Sequence, residues 1–97
     1  MSYEDHTRRD RRLTILRFLE AVPQYTSNVS VLTDVCNRHG VISTRDQVTT
    51  ELHWLAEQGF VALTGDDGFL VVVATGRGVE IAMGRATHPD IKRPWAR

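Results

Sequence analysis

Residues 43–60, with the sequence STRDQVTTELHWLAEQGF, limit what this chain can fold into more than any other segment. Val48, Leu52 and Leu55 recur at helical spacing and form one apolar face. Gly59 ends the helix, because glycine adopts the left-handed conformation at little cost. The sequence FVALT follows at once and alternates like a strand. A helix that stops and leads directly into a strand predicts an α+β domain.

Two further helices are predicted before this segment. Apolar residues at helical spacing indicate a first helix from about Asp5 to Ala21, which Pro23 ends. Asn28 can cap a short second helix, and Gly40 is a suitable stop for it. Cys36 lies on the apolar face of this second helix, so we expect a buried structural thiol rather than a reactive one.

The segment after Phe60 predicts a β-hairpin and a last helix. GDDG is a turn between FVALT and the return strand FLVVVAT. Thr75 can cap the last helix, whose glycines weaken it by propensity, so it must rely on packing. Ser43 is expected to cap the third helix, with Asp46 as the capping-box acid. We predict one domain over residues 1–97, with a core at about 5–86 and an extended tail at 87–97.

The order of three helices, a two-stranded hairpin wing and a C-terminal helix resembles a winged helix-turn-helix domain. ELHWLAEQGFVAL carries the resemblance, as does ATGRGVEIAMG, which is similar to the threonine-led start of the last helix in many bacterial winged-helix regulators. The whole chain also resembles small proteins of Mu-like phages and prophages, often labelled ArsR-type regulators. That resemblance rests on DRRLTILRFL, STRDQVTTELHWLAEQG and GRATHPDIKRPWAR. ArsR-type sensors use ligand sets rich in cysteine or histidine, and this chain has one cysteine. We therefore expect no metal and no other cofactor.

The resemblance implies a regulator that binds double-stranded DNA, as a dimer. A recognition helix places its N-terminal residues against base edges. Gln47 and Thr50 suit base readout, since glutamine can pair with adenine and threonine can contact a thymine methyl group. Phosphate contacts are expected from the start of the third helix and from the basic N-terminus, at Ser43, Thr44, Arg45, Arg8, Arg9 and Arg12.

The charge pattern supports a second hypothesis of a different class. The formal net charge is zero, with basic ends and an acidic middle, whereas strong DNA binders show a basic excess. Asp66 and Asp67 occupy the hairpin turn, where a DNA-gripping wing usually offers Lys or Arg. Trp54 points away from the core face and needs a cover, either the hairpin or a partner; Trp95 is a second candidate anchor. The alternative is a protein-interaction module, an adaptor or inhibitor of a host or phage protein.

Enzyme and membrane functions find no support in the sequence. The chain has no glycine-rich phosphate loop and no arguable pair of nucleophile and base. His53 and Glu57 lie one helical turn apart, but two such residues do not make a zinc site. The longest apolar run, FLVVVA, is too short to span a bilayer, and no segment of signal-peptide type follows the charged N-terminus. We expect a cytoplasmic protein that is not an enzyme.

Overall fold

Four α-helices and a three-stranded antiparallel sheet make up the part of the protein that the structure describes, so the α+β class is confirmed. The structure is a computed structural model that describes residues 1–66 and 68–95. A 3-10 turn, Pro23–Tyr25, links the first helix to the first strand. The elements in chain order are α1 (Tyr3–Ala21), β1 (Thr26–Asn28), α2 (Val29–Arg38), α3 (Arg45–Glu57), β2 (Val61–Asp66), β3 (Phe69–Ala74) and α4 (Gly76–Met83).

The sheet has one strand more than the sequence predicts. Strand β3 lies in the centre, with β2 on one edge and β1 on the other. Thr26 pairs with Val73, and Asn28 pairs with Val71. The predicted two-stranded hairpin was therefore incomplete, because it lacked β1. The three polar residues of β1 join the sheet through the backbone of β3, so their side chains give no strand pattern.

Helix α1 begins two residues earlier than predicted, because Ser2 forms a capping box with Asp5. The Ser2 hydroxyl accepts the Asp5 N–H at 3.1 Å, and the Asp5 carboxylate accepts the Ser2 N–H at 3.3 Å. The hydrogen bond from the Ser2 backbone lowers the pKa of Asp5, since it stabilises the charged carboxylate.

Helix α3 is capped by Thr44 and not by Ser43 as predicted. Thr44 Oγ1 accepts the Gln47 N–H at 3.1 Å, and Gln47 Oε1 accepts the Thr44 N–H at 2.9 Å. Ser43 is buried, and its hydroxyl accepts a hydrogen bond from Arg11 Nε at 2.6 Å. Arg11, 32 residues away in the chain, therefore engages the hydroxyl that was expected to cap the helix. Asp46, the expected capping-box acid, is exposed.

One hydrophobic core joins the helices to the inner face of the sheet. Val48, Leu52 and Leu55 are fully buried in it, so the predicted core face of α3 is confirmed. Cys36 is also fully buried, as expected, and burial raises the pKa of its thiol to about 11.

The C-terminal segment, residues 85–95, is packed against α1. Ile91 is 1% exposed and belongs to the core. The Lys92 N–H donates to the Arg9 carbonyl at 3.2 Å. The Trp95 ring lies against Gly84, the left-handed residue that ends α4. The expected extended tail therefore holds α1 and α4 together, and the core continues beyond residue 86.

Candidate interaction surface around helix α3

The two residues predicted to read bases are exposed at a groove between α1 and α3. Gln47 and Thr50 are exposed on α3. The groove has a volume of about 570 Å³ and runs beside the N-terminal half of α1. Its lining residues are Tyr3, Glu4, Thr7, Arg8, Arg11, Ile42, Gln47, Thr50 and Glu51. The first turns of α1 thus border the outer face of α3 on one side.

A buried ion cluster centred on Glu51 joins α1 to α3. Glu51 is 1% exposed. Its carboxylate oxygens lie 2.8 Å from Arg12 Nε, 3.0 Å from Arg8 Nε and 3.9 Å from Arg11 Nη1. Three guanidinium groups therefore surround one carboxylate. The arginines lie at i, i+3 and i+4 on α1, so one face of the helix presents all of them to Glu51.

Sequence reasoning missed this cluster, although a signal for it was present. Glu51 follows Val48 by three residues and precedes Leu55 by four, which places it on the apolar face of α3. An acid in such a position requires a buried partner, because an unpaired buried charge is strongly unfavourable. The first turns of α1 offered the cations. The sequence alone gave no indication that α1 and α3 would cross at this point.

Two of the predicted phosphate contacts have their polar groups engaged inside the protein. The buried Arg12 guanidinium donates to Glu51 and also to the Asp90 carbonyl, the latter at 2.9 Å. The Ser43 hydroxyl donates to the Val41 carbonyl at 2.8 Å and accepts from Arg11. Arg8 is half-exposed, but its Nε–H is bound to Glu51.

The start of α3 carries the remaining predicted phosphate residues of the helix, Thr44 and Arg45, and both are exposed. Arg45 donates to Ser30 Oγ and to the Gly68 carbonyl, each at 2.7 Å. It thereby ties α3 to the first turn of α2 and to the hairpin turn. Asp66 accepts the backbone N–H groups of Gly68 and Phe69 and stabilises that turn. Asp67 lies outside the described residues.

Arg9 faces away from the groove, at a cleft between α1 and the C-terminal segment. Its carbonyl accepts the Lys92 N–H, and Lys92 and Arg93 line the same cleft. The structure thus brings one N-terminal arginine and the basic C-terminal segment together. It does not place them with Arg45 and α3 on one surface.

The tryptophans proposed as interface anchors make contacts within the chain. Trp54 is half-buried, with the Arg12 guanidinium 3.9 Å from its ring centroid and the His88 ring edge-on at 5.2 Å. These contacts come from α1 and the C-terminal segment and not from the hairpin, which the sequence had suggested as the cover. Trp95 is 56% exposed even though one face of its ring packs on Gly84.

Two curated proteins are similar to this chain over most of its length. The uncharacterized protein gp26 of Escherichia phage Mu is 42% identical over 88 residues, which cover 91% of each protein. The chain belongs to the gp26 family. An uncharacterized protein of Haemophilus influenzae is 36% identical over 78 residues, covering 79% of this chain and 76% of that protein. No protein-family model and no solved structure matches the chain. The resemblance to a protein of phage Mu is therefore confirmed, while neither relative's name states a fold or an activity.

Two other kinds of feature, a metal-binding group and a membrane-spanning helix, are absent from the described residues of this gp26-family chain. Within residues 1–66 and 68–95, the structure contains no group of three or more His, Cys, Asp or Glu side chains arranged to hold a metal ion. None of the helices in this described part is long and apolar enough to cross a bilayer. The groove beside α3 and the cleft beside Arg9 both present charged and polar side chains to solvent.

Proposed function

We propose that this gp26-family protein is a winged-helix domain that acts as a protein-interaction module, an adaptor or inhibitor of a host or phage protein. The partner would dock in the groove between α1 and α3. The observation that carries this proposal is the inward turn of Arg8, Arg11 and Arg12 toward Glu51. Those cations lie beside the helix that would otherwise face DNA.

The order of elements supports the winged-helix assignment. One helix, a short strand, two helices, two strands and a last helix follow each other, and the strands form an antiparallel sheet in the order β1-β3-β2. Helices α2 and α3 are joined by a turn in which Gly40 has a φ of 80°. Two short helices joined by a glycine-containing turn are the pattern of a helix-turn-helix.

The charges around α3 favour a protein partner over DNA. On the outer side of α3, Arg45 is opposed by Asp46 and Glu57. In the groove, two arginines are balanced by two glutamates, Glu4 and Glu51. Neutralisation of phosphates by cations supplies most non-specific DNA affinity. A surface with balanced charge lacks that contribution, whereas protein interfaces do not require it.

Exposed apolar side chains at the groove suit a protein segment. Tyr3 is 85% exposed and Ile42 is 73% exposed, and both line the groove. Gln47 and Thr50 line the same groove and add hydrogen-bond donors and acceptors. An apolar anchor surrounded by polar groups is the arrangement of interface hot spots. We infer that the occupant is a helix or strand of another protein, with an apolar side chain that packs against Tyr3 and Ile42.

The proposal is tested with surface variants that leave the core intact. A tagged protein captures its partner from cells that carry the phage, mass spectrometry identifies the partner, and calorimetry measures the affinity of the purified pair. We expect Tyr3→Ser and Ile42→Ser each to weaken the complex by about 10-fold or more, as hot-spot truncations do. Met83→Ser is the matched control, because Met83 is 46% exposed on α4, outside the groove. Equal affinities for all these variants would show that the groove is not the docking site.

DNA binding is the second candidate, favoured by the exposure of Gln47 and Thr50 on α3. Fluorescence anisotropy with phage DNA fragments at several salt concentrations tests it. Under this hypothesis Arg45→Ala weakens binding to all sequences and lowers the salt slope by about one. Gln47→Glu can keep the capping box while it removes the amide donors, so loss of base preference in this variant reports readout rather than unfolding. Both results together would overturn the protein-interaction proposal. Light scattering on the same samples tests the expected dimer.

A further inference from the structure

The basic ends of the chain meet at a cleft that takes no part in the proposed docking groove. The cleft has a volume of about 610 Å³ and lies between α1 and the C-terminal segment. Its lining residues are His6, Arg9, Asp10, Thr87, His88, Pro89, Lys92 and Arg93. None of them lines the groove beside α3, because the two sets occupy different faces of α1.

The walls of the cleft are fixed by contacts between α1 and the C-terminal segment. The buried side chain of Ile91 anchors the segment in the core. The Lys92 N–H bonds to the Arg9 carbonyl at 3.2 Å, and Lys92 Nζ lies 3.5 Å from Asp10 Oδ2. His88 Nδ1 accepts the Asp90 N–H at 3.0 Å, which fixes the ring. A ligand would therefore meet a preformed site.

The cleft carries an excess of positive charge and an unmatched donor. Arg9, Lys92 and Arg93 are opposed by Asp10, which leaves a net charge of +2 with neutral histidines. Arg9 Nε is buried and has no hydrogen-bond partner among the described residues. Its Nη1 lies 3.2 Å from Met1 Sδ, and a thioether is a weak acceptor. An anion in the cleft would offer the Arg9 guanidinium a stronger acceptor than this thioether.

We propose that this cleft binds the phosphate group of a small phosphorylated ligand. A guanidinium matches phosphate oxygens with two parallel hydrogen bonds, and lysine adds a point charge. Thr87 supplies a hydroxyl donor at the same rim. The concave shape suits a small anion more than a rigid duplex, whose phosphates follow an extended backbone. The cleft has room for a group larger than a single phosphate.

The test uses the full chain and two probes, inorganic phosphate and pyrophosphate, at constant ionic strength set with sodium chloride. Amide shifts in a nuclear magnetic resonance titration report where each probe binds. We expect saturable shifts around residues 6–10 and 87–93, with pyrophosphate binding more tightly. Arg9→Gln and Arg93→Gln should each weaken pyrophosphate by about 10-fold, the loss of one charge-assisted contact. Arg93 is exposed, so its variant tests the site even where Arg9→Gln disturbs the fold.

The control is Arg38→Gln, which removes an exposed cation at the end of α2, outside the cleft. Its affinity for pyrophosphate should equal that of the unmodified protein. Equal weakening by Arg38→Gln would show a general charge effect and overturn the proposal. Shifts that never saturate would do the same. A short DNA duplex that binds at these amides more tightly than pyrophosphate would replace the small ligand with a nucleic acid. None of these outcomes bears on the groove beside α3.

Discussion

Replacing Glu51 with glutamine should destabilise the protein more than any exposed charge substitution. The change removes the carboxylate charge that faces Arg11 and Arg12, whose side chains are 3% and 8% exposed. Removing one partner of a buried ion pair costs about 3–5 kcal/mol, because the other charge stays buried and unpaired. Glutamine keeps one acceptor oxygen, so we expect the lower end, about 3 kcal/mol. For a domain of this size that loss lowers the Tm by roughly 12–24 °C.

Urea unfolding followed by far-UV circular dichroism measures this loss. The midpoint should fall while the m-value stays constant, since the same surface is exposed on unfolding. Glu57→Gln is the matched control, because Glu57 is an exposed glutamate on the same helix and should change stability by less than about 0.5 kcal/mol. Combining Glu51→Gln with Arg12→Met should cost less than the sum of the single changes, since the pair is coupled. A loss below about 1 kcal/mol in Glu51→Gln would refute the view that the cluster is a buried charge network.

Three further predictions concern packing. Leu52→Ala should lower the free energy of unfolding by about 2–5 kcal/mol through the cavity it opens, and an unchanged thermal melt would contradict the packing of α3. Gly78→Ala should destabilise by about 1–3 kcal/mol, because a Cβ would overlap the Phe60 carbonyl, while Gly76→Ala, with open space around it, should be neutral or stabilising in the same melt. Cys36, with its pKa raised from 9.0 to about 11, should react slowly with a thiol reagent in the folded protein and rapidly in urea; fast native labelling would mean that α2 opens readily. The raised pKa of Cys36 also makes stability depend on pH. Its contribution to the stability of the fold is fully present below pH 9.0 and is lost as the pH rises towards 11.

Elements whose signal lies in their own residues could be predicted from the sequence. The apolar spacing of Val48, Leu52 and Leu55 depends only on the helical period, and the structure buries all three side chains. Asn28 and Thr75 cap α2 and α4 as expected, because a capping side chain bonds to backbone groups three residues away. The last helix was predicted to rely on packing because its glycines weaken it, but only the structure shows that Gly78 itself lies against the backbone of Phe60.

Elements that depend on distant partners could not be predicted. Strand β1 exists because Thr26 and Asn28 find a free edge of β3, more than 40 residues later in the chain. The helix cap moved from Ser43 to Thr44 because Arg11 occupies the Ser43 hydroxyl. The packed C-terminal segment depends on the burial of Ile91 in the core formed by the earlier elements. None of these partners is near its counterpart in sequence.

The charge distribution at the candidate site could not be predicted from the sequence for the same reason, because it depends on distant partners. Counting charges by segment places Arg8, Arg11 and Arg12 in a basic N-terminus and Glu51 in an acidic middle. The structure pairs them across separations of 39 to 43 residues, so part of the positive charge of the N-terminus is neutralised inside the protein. Segment totals therefore do not describe the surface.

The pairing restricts how this protein could ever hold a phosphate backbone. Arg11 and Arg12 cannot leave Glu51 for a phosphate without removing partners from a buried carboxylate, and that exchange costs several kcal/mol. The hydrogen bonds that Arg45 makes to Ser30 and Gly68 are exposed, so they can be exchanged at little cost. Among the arginines predicted to contact phosphate, Arg45 and Arg9 are the two that are not paired with Glu51, and they lie on different parts of the surface. The Arg45→Ala and Arg9→Gln variants consequently separate a ligand bound at α3 from one bound between the two ends of the chain.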